Sequence, residues 1–265
     1  MLFTAIWKKP VHWKRNGPGM FKPCLVIPIY NNKDTIENVL DRVADYGLPV
    51  LIVNDGSDDA TRQVLNSLEA EREPVRVKHL PQNGGKGAAV KAGLLLADSL
   101  GYSHALQVDA DGQHQLTDIP KFLETAKETP TALVLGAPIF GEDVPKSRLY
   151  GRQISRFWVR VETLSQAIRD PLFGFRVYPV PSAAALIRRK KSIGNRMDFD
   201  PEIAVRLCWT GLPVRNINTP VIYPEGGVSN FRMVLDNVLI SWLHTRLVCG
   251  MLLRLPRLLF QRVRG

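Results

Sequence analysis

Cysteine is scarce in this chain: three among 265 residues, Cys24, Cys208 and Cys249. They lie too far apart for metal-ligand spacing, and their odd number excludes a complete disulfide framework, which points to the reducing cytosol. Long apolar runs are missing too. The most apolar stretch, residues 238–253, is broken by His244 and Arg246. A spanning helix needs about 20 apolar residues, so no transmembrane helix is expected. Nor is a secretory signal: the apolar residues 1–7 precede Lys8 and Lys9 rather than following a basic segment. Acids are absent from both ends. Residues 1–22 carry five Lys or Arg, residues 237–265 carry five Arg, and these ten charges equal the formal net charge of +10. Residues 23–236 are therefore neutral. A neutral body argues against nucleic acid as a partner, and basic ends predict contact with an anionic membrane surface.

What is present reads as a globular α/β chain, with 45% hydrophobic and 23% charged residues. Residues 24–30 form a continuous apolar run, as a buried parallel strand does. Further strands are predicted over 50–53, 75–80, 105–108 and 132–135. Helices are predicted from a cap at Asp34 or Thr35 to Tyr46, and over 59–71, 86–100 and 120–127. This βαβ repetition predicts a mostly parallel, Rossmann-like sheet with helices on both faces. Beyond Gly136 the regularity fades: a long helix over 147–168, a strand over 173–178, helices over 182–191 and 201–209, a strand over 214–217, and an apolar helical tail from about 231. The chain thus divides into a basic arm (1–22), one large domain (23–230) and a basic amphipathic tail (231–265) that meets the membrane interface.

Ligands of open parallel sheets bind beyond the carboxyl ends of the strands. Polar clusters stand there: Tyr30-Asn31-Asn32, Asn54-Asp55-Gly56-Ser57, and Asp109-Ala110-Asp111-Gly112-Gln113-His114. Asp109 and Asp111 flank one residue just past a buried strand, so both carboxylates can reach one hard cation, with Gln113 adding an amide oxygen. Mg²⁺ takes such oxygen ligands together with substrate phosphates. Asp55 stands at a neighbouring strand end, and the acids are expected to converge on the cation. A solvated acidic turn is the plain alternative. Asn83-Gly84-Gly85-Lys86 opens a helix whose N-terminus favours anions, but it has neither Walker nor dinucleotide-fingerprint spacing. His114 reads as a supporting histidine rather than a ligand. In Asp170-Pro171-Leu172-Phe173-Gly174-Phe175-Arg176, the guanidinium is a candidate phosphate clamp, or else half of a structural ion pair. Asp200 and Glu202 open a helix, where acids also serve as caps.

Taken together and in this order, these motifs resemble glycosyltransferase family 2, of the GT-A fold, over about residues 23–230. Within the family they resemble the dolichol-phosphate mannose synthase and polyprenyl-phosphate glycosyltransferase branch. The resemblance implies nucleotide binding by Pro28, Tyr30, Asn32, Asp55, Lys86, Asp109 and Ala110. It implies a Mg²⁺ or Mn²⁺ site at Asp109, Asp111 and Gln113. It implies inverting transfer from a UDP- or GDP-linked sugar to a lipid acceptor, with Asp200, Asp170 and Arg176 on the catalytic side. Asp200 is the first candidate base and Asp170 the second, should the acceptor be a hydroxyl. Two motifs depart from the branch: Asn32 replaces a usual glutamate, and Gly226-Gly227-Val228-Ser229-Asn230 only loosely matches its basic loop, where Arg232 is a substitute cation. The expected location is the inner face of the cytoplasmic membrane, peripherally bound. The competing classes are a sugar nucleotidyltransferase, disfavoured by the residues after the first strand, and an inactive membrane-recruited nucleotide-binding scaffold.

Overall fold

The structure is a computed structural model that describes residues 21–141, 146–222 and 233–264. Nearly all of the basic arm, and the loop holding Gly226 to Arg232, lie outside the described residues. Among the described residues, seven strands form one sheet: β1 (Pro23–Ile29), β2 (Val50–Asn54), β3 (Val75–His79), β4 (His104–Gln107), β5 (Leu133–Ile139), β6 (Arg176–Pro179) and β7 (Val214–Pro220). The helices are α1 (Lys33–Ala44), α2 (Asp59–Glu71), α3 (Lys86–Ser99), α4 (Ile119–Glu128), α5 (Lys146–Thr163), α6 (Val180–Arg189), α7 (Phe199–Trp209), α8 (Met233–Leu252) and α9 (Leu255–Arg264).

The strand order is β3-β2-β1-β4-β6-β5-β7. β1 pairs parallel with both β2 and β4, with Ile27 opposite Ile52 and Leu25 opposite Leu106. The chain therefore winds one way from β1 and resumes on its other side at β4. The carboxyl ends of β1 and β4 flank the reversal, where open α/β sheets leave a crevice. β1, β2 and β4 are buried along their length, which accounts for the apolar runs of β1 and of residues 50–53 in β2. Asp58 caps α2 by accepting the Thr61 N–H at 2.8 Å. One core cluster lies on each face of the sheet.

Several elements differ from expectation. The first helix begins at Lys33, with Asn32 at the cap position and no side-chain cap. The fifth strand runs four residues further, to Ile139, because its pairing with β7 continues to Pro220. The long helix stops at Thr163, where Leu164 takes a left-handed φ of 50°. The strand expected from residue 173 begins at Arg176 and runs antiparallel to both neighbours. That reversal matters for the site. Arg176 lies opposite Gln107, so the residues just before Arg176 meet those just after Gln107, and segment 170–175 arrives beside Asp109. The tail does not stand apart from the domain either. Leu243, Leu247, Met251 and Leu258 are buried in the core cluster that also holds Trp209 and Val159, each such side chain contributing about 1.5–3 kcal/mol.

Candidate active site

A cavity of about 1230 Å³ opens at the reversal point. One wall comes from strand ends and the glycine loop: Pro28, Tyr30, Asn32, Asp55, Lys86, Asp109, Ala110, Asp111 and Gln113. The facing wall comes from helices, with Arg152, Ser155 and Trp158 of α5 and Ser241, His244 and Thr245 of α8.

Asp55 is fixed by the loop across from it. Its carboxylate accepts the Gly84 N–H at 2.9 Å, the Gly85 N–H at 2.7 Å and the Asn83 amide at 3.1 Å. Burial pushes its carboxyl up, and the two backbone donors oppose that shift. The approach needs Gly56, whose φ is +65° and whose added Cβ would run into the Gln82–Asn83 backbone.

Asp109 sits in a relay of donors. Lys86 Nζ donates to its Oδ2 at 2.7 Å and lies 3.2 Å from Asp200. Gln107 donates to its Oδ1 at 3.3 Å and itself accepts the Tyr178 hydroxyl at 3.0 Å. Burial works against a charged Asp109, but Lys86 outweighs it and holds the carboxyl down at about 2. Burial likewise opposes the Lys86 charge, and Asp109 and Asp200 overcome it, raising the ammonium above its usual value. Gly174 closes over this cluster: a Cβ there would fall 2.6 Å from Lys86 Nζ and 2.7 Å from Asp109 Oδ2. His114 Nδ1 accepts the Asp109 N–H at 3.2 Å, which leaves the proton on Nε2. Burial lowers the His114 pKa, and its ring stacks on Phe175 at 4.9 Å.

Asp111 differs from Asp109. Burial raises its carboxyl, and the Asp109 charge raises it further. Its Oδ1 accepts the Gln113 N–H at 3.0 Å across a turn at Gly112, φ +74°. Two adjacent half-buried carboxylates, one of them pushed toward protonation by desolvation and by the other, form an oxygen donor set that a divalent cation would relieve. The set is small: among the described residues no group of three or more His, Cys, Asp or Glu is placed to hold a metal. The expected convergence of Asp55 on the cation is corrected here, because its carboxylate is committed to the glycine loop.

Arg176 also requires correction. Its side chain has no exposed surface and donates to the carbonyls of Phe173 (2.6 Å), Pro171 (3.2 Å) and Asp200 (2.8 Å). It cannot clamp a phosphate; it shapes the 171–173 turn and holds the start of α7 against it. Asp170 is buried and paired with Arg152 at 2.7 Å. Asp200 lines the cavity, between Lys86 at 3.2 Å and Arg176 at 3.7 Å.

Residues 24–193 match the family described as glycosyl transferase family 2. The chain belongs to this family. An undecaprenyl-phosphate mannosyltransferase of Micrococcus luteus is 34% identical over 222 residues, covering 78% of this chain and 86% of that protein. The dolichyl-phosphate beta-glucosyltransferase ALG5A of Trichomonas vaginalis is 28% identical, covering 78% of this chain and 69% of its own length. In fold, the chain is similar to S. aureus TarS 1–349 in complex with UDP, with a TM-score of 0.51 and 16% identity over 85% of this chain and 65% of that one.

The glycosyltransferase sequence announces one wall of the cavity and not the other. Every residue assigned from it to the nucleotide or the metal lines the cavity. Arg152, Ser155, Trp158, Arg196, Met197 and His244 line it too, and the sequence marks none of them as a site residue. Arg196 packs on Gly85, where a Cβ would fall 2.9 Å from its Cγ, and its Nε lies 3.5 Å from Asp236. The one available signal was composition: His244 interrupts a mostly apolar helix.

Proposed function

We propose that this glycosyltransferase moves a sugar from a UDP- or GDP-linked donor to a polyprenyl or dolichyl phosphate, at the inner face of the cytoplasmic membrane. The observation that carries this reading is that Asp55, Lys86, Asp109, Asp111 and Gln113 open into one cavity whose opposite wall is helical and partly apolar. The activities of the Micrococcus and Trichomonas relatives, on undecaprenyl and dolichyl phosphate, support the acceptor class. No helix among the described residues is long and apolar enough to cross a membrane, so attachment is proposed through the surface.

Asp55 and the Gly84–Gly85 amides form the nucleoside end of the cavity. Lys86 lies further along, its charge preserved by two carboxylates, beside the position of the donor's phosphates. Asp109, Asp111 and Gln113 are the residues to hold Mg²⁺ or Mn²⁺, which when bound neutralises charge on a departing diphosphate. A phosphate acceptor is already an anion at neutral pH and needs no general base. Asp200 then serves to position Lys86. A single displacement inverts the anomeric centre.

Calorimetry with UDP- and GDP-sugars, with and without Mn²⁺, identifies the donor. Transfer to undecaprenyl phosphate is expected in wild type and is abolished in Asp111→Ala. Unimpaired transfer by that variant removes the metal assignment. Nucleotide binding without transfer to any polyprenyl phosphate replaces this reading with a nucleotide-binding scaffold.

A further inference from the structure

We infer that α5, together with the outer face of α8, is the surface that beds into an anionic lipid leaflet, so that the cavity opens directly into the membrane. The inference rests on the lipid-acceptor reading above and adds where the membrane lies.

On α5, Tyr150, Ile154, Phe157 and Trp158 are exposed, at 69%, 60%, 58% and 37%. Their spacing of four, seven and eight residues places them on one stripe. α8 packs against α5 and leaves Val238 and Trp242 exposed, at 59% and 60%, while Leu243 and Leu247 face the core. Soluble surfaces rarely leave so many large apolar side chains together without a partner. Three things make that partner a bilayer. The stripe is rich in Trp, Tyr and Phe, which favour the headgroup level. α5 is basic: residues 146–163 hold five Lys or Arg and one acid, and the chain that follows α8 adds Arg254, Arg257, Arg262 and Arg264 with no acid, which suits anionic lipid. The stripe is also continuous with the cavity, because Ile154 and Trp158 both belong to the exposed face and line the interior. Behind them the wall turns polar, with Ser155, Arg152 and His244. A lipid phosphate entering between α5 and α8 would keep its chain against the apolar rim while its head group passes inward.

The test uses the full chain, with Tyr150→Ser, Phe157→Ser and Trp242→Ser combined. All three sites are exposed, and none lines the cavity. Cosedimentation with phosphatidylcholine vesicles containing phosphatidylglycerol should show the partition coefficient falling at least about tenfold. Bilayers of brominated lipid should quench tryptophan fluorescence in wild type, and less in Trp242→Phe. The triple variant should keep its turnover on a short-chain, water-soluble polyprenyl phosphate and lose turnover on the long-chain acceptor in vesicles. Unchanged partitioning overturns the inference. So does light scattering that shows a wild-type dimer dissociated by the triple variant while partitioning stays the same, since the face would then bind a second copy. If wild type glycosylates no polyprenyl phosphate, the functional reading fails, and the vesicle and quenching data still decide this one.

Discussion

The strand-end wall and the helical wall of the cavity hold their charges by different means. On the first, Lys86, Asp109 and Asp200 form one connected cluster with Gln107 and Tyr178 behind it. Its members come from β4, β6, α3 and α7, so the sheet itself fixes their spacing. On the second, each basic side chain meets a single acid: Arg152 meets Asp170, Arg196 meets Asp236, and His244 shares a hydrogen bond with Glu162. These pairs tie α5, α8 and their loops to one another and to the body. The rigid wall suits a donor whose reacting atoms must be held in place. The paired wall suits an acceptor that must enter.

The largest effect expected from this contrast is at Lys86. Lys86→Met leaves Asp109 and Asp200 facing each other without a cation. The pair is half-buried, its Lys86 and Asp109 side chains 18% and 19% exposed, so losing the cation should cost less than the roughly 3–5 kcal/mol of a fully buried pair, readable by urea denaturation. Transfer should fall about 10²–10³-fold, as when one electrostatic group is removed from a reacting site. A variant that keeps wild-type stability would show that the cluster is not a unit.

The same cluster predicts an acid limb. The Asp109 carboxyl is held down at about 2 in the folded chain, against about 3.9 when unfolded. A depressed folded value means stability that is present above pH 4 and lost as the pH falls from about 4 toward 2. The loss is about 2 kcal/mol by linkage. Melting temperature followed over that window should drop in wild type and drop less in Lys86→Met, which has already lost the pairing.

Gly174 tests how closely the wall is packed. Its α-hydrogen faces Lys86 and Asp109, with no room for a methyl group. Gly174→Ala should cost about 1–3 kcal/mol by overpacking and reduce transfer as well, because the atoms displaced are the reacting wall's own. Full stability and turnover in this variant would show that Lys86 can shift without consequence.

The difference between the walls also explains what could be seen in advance. The strand-end residues announce themselves because a parallel strand buried on both faces is an unbroken apolar run, so a polar residue just past it marks the site. Asp109 and Asp111 were found that way, as was Asp55. The role of Arg176 was not, because a guanidinium beside a glycine and an aromatic reads alike whether it faces a phosphate or three carbonyls. Only the antiparallel course of β6, invisible in local pattern, decides it. The helical wall was illegible for another reason. α8 is apolar around most of its circumference, so periodicity does not say which side packs and which remains exposed. The answer depends on α5, more than seventy residues earlier in the chain.

The smallest effect is expected where the helical wall is tied together. Glu162 is buried on α5, and its Oε1 lies 2.7 Å from His244 Nδ1 on α8. Burial raises the Glu162 carboxyl, while the His244 contact opposes that shift. Glu162→Gln keeps an acceptor oxygen for the imidazole N–H and removes the buried charge. Exchanging a buried charged partner for a neutral isostere should change stability by under about 1 kcal/mol, because Leu243 and Leu247 hold α8 in place through the core. Glu162→Ala removes the acceptor altogether and should cost about 3 kcal/mol. Denaturation midpoints for the two variants separate the cases. A large loss in the Gln variant would mean that the charge, rather than the hydrogen bond and the apolar face, fastens α8. The helical wall would then depend on charge as the strand-end wall does, and the contrast between them would narrow to the number of partners each ion has.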